Sequence, residues 1–261
     1  MKIIVFVKQV PNVDEVSFDP KTGNLKREGV ESILNPPDAH AIEAALQLRE
    51  RYGGFITVIS MGPQQAGSVL KRALAMGCDE SVLLSDRAFA GADTLATAYT
   101  LAEAAKKVGK FDIILCGSHA IDAETAQTGP AIAEYLDIHD VTCAVSAEVE
   151  DGWAICTRKL QKGKETVKVR LPALLTVCPE MNSPRYPKPI DIMRAGRKKL
   201  LVWDAVSLGC DLQRIGMTGS PSANRDLFAP TMEQRETHYL NGSAAEIAAA
   251  LADDLEAEKL I

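Results

Sequence analysis

The residues best equipped for chemistry in this sequence lie between Gly117 and Gly129. Ser118, Thr125, Gln127 and Thr128 supply small polar groups in a loop that opens where an apolar run, Ile113 to Cys116, breaks at Gly117. Ala131, Ile132, Tyr135 and Leu136 then resume at helical spacing. A buried strand, a loop of small residues and a helix make the half-unit that receives nucleotides at the carboxyl end of a parallel sheet. A helix start adds unpaired N–H groups and a partial positive charge, so the chemistry on offer is phosphate binding. Taken alone, the stretch is equally consistent with an ordinary strand-to-helix connection carrying a hydrophilic loop.

No catalytic set accompanies it. There is no acid pair and no nucleophile with an adjacent base, and neither standard glycine-rich phosphate loop is present. The histidines at 40, 119, 139 and 238 lack metal-ligand spacing, so neither a catalytic residue nor a metal site is expected. The cysteines are scattered without a Cys-x-x-Cys pair and read as small hydrophobes in a reducing compartment, with the cytoplasm as the expected location. A nucleotide site without acid–base machinery suggests a cofactor whose own ring carries the reaction.

Such a loop needs a scaffold, and the chain supplies one in alternating pieces. Met1 to Val7 reads as the first buried strand, Phe55 to Ser60 as the second, Ser81 to Leu84 as the third and Ile113 to Cys116 as the fourth. Between them run three helical patterns. One follows Asn35-Pro36-Pro37-Asp38, with Asp38 as its expected N-cap; one ends at Gly77; one starts near Gly91-Ala92-Asp93-Thr94. Glu15 to Phe18 and Leu25 to Arg27 flank a hairpin turn signal at Asp19 to Gly23. The alternation predicts an α/β fold with a doubly wound, mostly parallel, Rossmann-like sheet. In that architecture the loops leaving the strands' carboxyl ends converge on one crevice. Here they are Lys8 to Pro11, Asn35 to Asp38, Met61-Gly62, Asp93-Thr94-x-x-Thr97, and Gly117 to Gly129.

After Leu136 the pattern changes to an antiparallel extension, with Asp151-Gly152 as a type I′ turn. From Pro179 to Lys199 the chain is turn-rich and basic, and composition alone reads it as a solvated linker. Residues 1–198 are expected to form the nucleotide-binding domain and 199–261 a C-terminal arm. The arm ends in a helix opened by a Ser243–Glu246 capping box, whose Ile247, Leu251 and Leu255 stripe needs a surface to cover it. A formal net charge of −6 without a basic–aromatic stripe argues against a nucleic-acid partner. No apolar run reaches the ~18 residues of a spanning helix, so no membrane insertion is expected.

At this point the chain resembles, over essentially its whole length, the β subunits of electron transfer flavoproteins. The matching segments include Val7-Lys8-Gln9-Val10-Pro11, Asn35-Pro36-x-Asp38, Ser60-Met61-Gly62-Pro63, Ala126-Gln127-Thr128-Gly129 and Pro184-Arg185-Tyr186. The resemblance implies a heterodimer with a larger, flavin-carrying α subunit. In one branch of the family the β subunit holds structural AMP and acts only as an electron carrier. In the other it holds a second FAD, takes hydride from NADH and bifurcates the electrons. One electron goes to the α-subunit FAD, toward an acyl-CoA dehydrogenase-type partner, and one to a low-potential acceptor such as ferredoxin or flavodoxin. Asp93-Thr94-Leu95-Ala96-Thr97, Thr125 to Pro130, and Gly219-Ser220-Pro221 to Phe228-x-Pro230 are similar to the second, FAD-bearing branch.

The resemblance implies cofactor contacts from Phe6, Lys8, Val10, Asn35, Pro36 and Asp38, from Met61 and Gly62, and from Asp93, Thr94 and Thr97. Around the organising loop it implies Cys116, Gly117, Ser118, His119, Ala120, Ile121 and Asp122, then Thr125, Ala126, Gln127, Thr128 and Gly129. A partner-recognition loop is implied at Arg185, Tyr186, Pro189, Ile190 and Met193. The sequence departs from the family at Ser118-His119, where a Lys-Gln pair is usual, at Ile138-His139-Asp140, and at the basic loop Gln161-Lys162-Gly163-Lys164.

Overall fold

The computed structural model of the chain describes residues 1–12, 17–18, 25–26, 31–222 and 237–260. It divides into two units, Met1–Arg225 and Asp226–Ile261. The first unit begins with β1 (Lys2–Phe6), β2 (Gln9–Pro11), the antiparallel pair β3 (Ser17–Phe18) and β4 (Leu25–Lys26), and β5 (Ser32–Leu34), which pairs antiparallel with β2. The expected hairpin turn at 19–23 lies outside the described residues. The chain then alternates through α1 (Pro36–Tyr52), β6 (Phe55–Met61), α2 (Gly67–Met76), β7 (Glu80–Leu84), α3 (Thr94–Val108), β8 (Ile113–Gly117) and α4 (Thr128–Leu136). Three longer strands follow, β9 (His139–Glu150), β10 (Trp153–Leu160) and β11 (Gly163–Arg170), then β12 (Ala173–Val177), α5 (Pro189–Arg197), β13 (Leu201–Trp203) and α6 (Ala205–Leu208). In the second unit, α7 (Ala244–Ala257) carries the expected Ser243–Glu246 capping box, and Leu251 is exposed.

The main sheet runs β11-β10-β9-β12-β8-β1-β6-β7-β13. From β9 to β13 every neighbouring pair is parallel, and β10 and β11 add the antiparallel extension. The central strands β8 and β12 are buried at every residue, because successive side chains alternate between two covered faces. Ile3 and Val5 face one core with Ile113, Leu115 and Val58, while Ile4 and Phe6 face the other with Ile114, Cys116 and Ile59. Helices α1, α2 and α5 contribute to the first core and α3, α4 and α6 to the second, so the sheet is doubly wound. Strands β6 and β7 lie on one side of β1, and β8 on the other. The order therefore reverses between β1 and β8, which is the switch point where this architecture binds ligands.

Two sequence expectations are corrected. Asp38 is not the N-cap of α1. Pro36 and Pro37 occupy its first positions, where a missing N–H is harmless, so the helix starts at Pro36, Asn35 stands at the cap and Asp38 is buried in the first turn. The basic stretch after Pro179 is not simply a linker. It contains α5, whose terminal carbonyls of Ala195, Gly196 and Lys198 accept hydrogen bonds from Lys71 on α2. Beyond residue 198 the first unit continues, with β13 extending the sheet beside β7 and Ile215 2% exposed in the second core.

Candidate functional site

The carboxyl ends of β1 and β8 are tied together by a single buried carboxylate. Asp38 Oδ2 accepts from Lys8 N at 2.7 Å and Oδ1 from Gly117 N at 2.9 Å. Burial pushes this carboxyl up to about 7, against the pull of those N–H donors, the Asn35 side chain and Lys8. Gly117 is required here, since a Cβ would lie 2.5 Å from Asp38 Oδ1 and 2.7 Å from Pro37 Cβ. Beside it, Asn35 stands at the cap of α1 without a capping side-chain hydrogen bond; its side chain instead donates to the His119 carbonyl at 2.9 Å and accepts from Ile121 N at 3.2 Å. Lys8 Nζ pairs with both oxygens of Asp122, at 2.6 and 2.8 Å. Asn35 and Lys8 thus hold the loop after β8 against the loop after β1.

That loop ends in a backbone shaped for an anion. Glu124 and Ala126 are left-handed, with φ of 50° and 54°, and Gln127 returns to the right-handed region at φ −103°, ψ −18°. A left-handed residue followed by a right-handed one turns successive N–H groups toward a common point. Helix α4 starts at the next residue, leaving the Thr128 and Gly129 N–H groups without helical acceptors. Gly129 allows α4 to approach the sheet, because a Cβ would lie 2.6 Å from Thr176 Cγ2 and 3.1 Å from Cys116 Sγ. Burial drives the Cys116 thiol far above its ordinary value, so this floor stays uncharged.

A cleft of about 520 Å³ runs from this loop to the start of α3. Phe6, Met61, Phe89, Leu101 and Ile132 form its apolar part. The facing wall is Gly91 to Thr94 with Thr97 and Ser222. Asp93 caps α3, accepting from Ala96 N at 3.0 Å, and its other oxygen accepts from Ser222 N and Oγ at 3.1 and 2.8 Å. Burial works to raise the Asp93 carboxyl, but these donors outweigh it and hold the group below the usual range.

Of the residues expected at the site, Phe6, Lys8, Asn35, Asp38, Met61, Asp93, Thr94 and Thr97 line the cleft. So do Cys116, Gly117, Ser118, His119, Ala120, Thr125, Ala126, Thr128 and Gly129. Six do not line it. Val10 is buried in β2, Pro36 opens α1, Gly62 follows β6, Ile121 and Asp122 face the Asn35 and Lys8 clamps, and Gln127 stands at the start of α4. Phe89, Leu101, Ile132 and Ser222 line the cleft without having been singled out. The first three read as ordinary core residues in sequence, whereas Ser222 follows the Gly219-Ser220-Pro221 segment that the family resemblance had marked.

On the α1 face, Arg185 is committed within the molecule. It bonds Glu43 through Nε and Nη2, both at 2.8 Å, and Glu50 through Nη1 at 2.6 Å. Burial would raise the Glu43 carboxyl, but Arg185 holds it low. Tyr186 projects at 88% exposure, and Met193 and Ile190 are exposed on α5 just beyond Pro189.

Comparison with known proteins decides the family. The electron transfer flavoprotein domain matches residues 22–208. The chain belongs to the electron transfer flavoprotein β subunits. The β subunit from Thermoanaerobacterium thermosaccharolyticum is 45% identical over the full length of both chains. A caffeyl-CoA reductase–Etf complex subunit, CarD, from Acetobacterium woodii is 43% identical, again over both full lengths. The protein FixA of Bradyrhizobium diazoefficiens is 41% identical over 97% of this chain and 90% of its own. Among the described residues, no helix is long and apolar enough to cross a membrane.

Proposed function

We propose that this β subunit binds FAD in the cleft between β8–α4 and α3 and works as the NADH-oxidising half of an electron-bifurcating heterodimer. The observation that carries the reading is the anion-receptive backbone at Ala126–Gly129, set at the β1/β8 switch point and facing a second polar wall at Asp93–Thr97. In this reading the N–H groups entering α4, with the Ser118, Thr125 and Thr128 hydroxyls, hold phosphate, and Thr94 and Thr97 hold the second phosphate or a ribose. Phe6, Met61, Phe89, Leu101 and Ile132 exclude water from the adjoining space. FAD, when bound, supplies hydride acceptance and single-electron release, chemistry that asks for no acid or base from the chain.

The α subunit carries the other FAD and covers the Leu251 stripe of α7, while an acyl-CoA dehydrogenase-type flavoenzyme docks on Tyr186 and the exposed face of α5. The likeness to a subunit of a caffeyl-CoA reductase complex supports a reductase partner of this kind. Ferredoxin or flavodoxin takes the low-potential electron. A carrier subunit with structural AMP is the second reading, favoured by the fact that the Ala126–Gly129 backbone alone offers enough donors for a single phosphate. Nucleotide extracted from the purified heterodimer separates the two. Two flavins per heterodimer, with flavin reduction by NADH, supports FAD in this subunit; one flavin with one AMP overturns it.

A further inference from the structure

We infer that Asp93 is a positioning residue: it fastens Gly216–Ser222 against the loop before α3, so that this segment near the end of the first unit serves as a wall of the nucleotide cleft. The inference rests on the reading of that cleft as a nucleotide site. An ionised carboxylate repels phosphate, and the acceptor sites of Asp93 are already directed elsewhere. One oxygen caps α3 at Ala96 and the other takes both donors of Ser222. The Asp93 N–H donates to Ser220 Oγ at 2.8 Å, and that hydroxyl donates on to the Gly216 carbonyl at 2.7 Å.

The backbones interlock at the same place. Met217 N donates to the Ala90 carbonyl at 3.0 Å. Gly216 has φ +55°, and a Cβ there would lie 2.0 Å from the Ala88 carbonyl oxygen. Upstream, Ile215 is buried in the same second core as Phe89, and the Arg214 guanidinium lies 4.1 Å from the Tyr99 ring centre. The segment therefore has its own anchor on α3, and Asp93 joins its end to the loop that presents Thr94. Ligand occupancy and the docking of this segment must then favour each other, as two events sharing one set of contacts.

The test uses the complete heterodimer with the α subunit, stripped of its nucleotides and given ADP as the probe. Asp93→Ser keeps an N-cap side chain but loses the second oxygen that holds Ser222. Gly216→Ala changes a residue that does not line the cleft. Both variants should bind ADP at least fivefold more weakly by equilibrium dialysis, and both should exchange amide hydrogens faster across residues 210–222. In the wild-type complex, ADP should slow that exchange. ADP affinity in Asp93→Ser equal to wild type, or exchange at 210–222 indifferent to saturating ADP, overturns the inference. If Gly216→Ala does not fold, Ser220→Ala, also off the cleft lining, should show a smaller weakening of the same kind, and unchanged affinity there counts against it. Failure of the wild-type complex to bind ADP is a different result: it removes the nucleotide reading and this inference together.

Discussion

Asn35 reaches across the cleft mouth to His119, donating from Nδ2 to its carbonyl oxygen at 2.9 Å while its Oδ1 accepts from Ile121 N at 3.2 Å. An amide presents its donor and its acceptor on two separate atoms, so one side chain can bond two backbone groups of the same loop. Asn35→Ala strands two backbone groups in a site where Asn35 itself is buried. The expected loss is about 1–3 kcal/mol of loop anchoring, read as roughly 5- to 150-fold weakening of nucleotide binding to the heterodimer. Equal nucleotide retention in the variant would separate this bridge from ligand binding.

Asp38 makes stability depend on pH in an unusual direction for a carboxylate. Its value rises from 3.8 to about 7 on folding, chiefly through burial, so the folded chain keeps the proton longer than the unfolded one. Its contribution is fully present below about pH 4 and is lost as pH rises toward 7, a swing on the order of 4 kcal/mol. Asp38→Asn removes that swing. Thermal melts from pH 5 to 8.5 should show the variant gaining on the wild type as pH rises, and a constant difference would contradict the assignment.

Gly117→Ala places a methyl 2.5 Å from Asp38 Oδ1 and 2.8 Å from the Pro37 carbonyl carbon, and the latter is backbone that cannot rotate away. Prying α1 from the end of β8 should cost about 1–3 kcal/mol. Gly152→Ala meets no atom within 4 Å but has φ +79°, so its effect is confined to the β9–β10 turn. Denaturant titrations should show both destabilised, with nucleotide affinity falling only in Gly117→Ala.

Arg185 and Tyr186 are neighbours with separable roles. Arg185→Ala leaves Glu43, whose side chain is 5% exposed, without its ion-pair partner. Because Arg185 is itself partly exposed, the expected cost is about 1–3 kcal/mol of stability, below that of a fully buried pair. Tyr186→Ala should change stability by less than about 0.5 kcal/mol. If the α5 surface receives the dehydrogenase-type partner, Tyr186→Ala slows electron delivery to it while NADH-driven flavin reduction is unchanged. Unaltered delivery would move the docking surface elsewhere.

The parts of this molecule legible in the sequence are those with a repeating physical signature. Ile3 to Val7, Phe55 to Ser60 and Ile113 to Cys116 are apolar on both faces, as buried parallel strands must be, and their helices carry matching stripes. The loop at Gly117–Gly129 announced itself through that alternation. Strand β13 is three residues long, too short for any period, and α5 begins in a proline-rich stretch whose stabilising contact, from Lys71, is more than a hundred residues away in sequence. Asp38 shows the same difficulty on a smaller scale. A carboxylate after two prolines reads as a cap, and only the approach of Lys8 and Gly117 reveals it as a buried brace. The Asp93–Ser222 bond likewise joins residues with no local pattern in common.

The hairpin of β10 and β11 leaves β11 as an outermost strand of the sheet, with one side of its backbone unpaired. Open strand edges invite other chains to add on, and natural proteins discourage this with charge. Here Lys168 and Arg170 lie over the Trp153 ring at 5.4 and 5.9 Å, and Arg158 on β10 pairs with Glu165 at 2.8 Å. The most exposed aromatic surface of the hairpin is thus sheathed in cations, and a second copy approaching edge-on meets like charge. A β subunit synthesised ahead of its α partner therefore has a built-in defence against self-association into fibrils or precipitate while it waits.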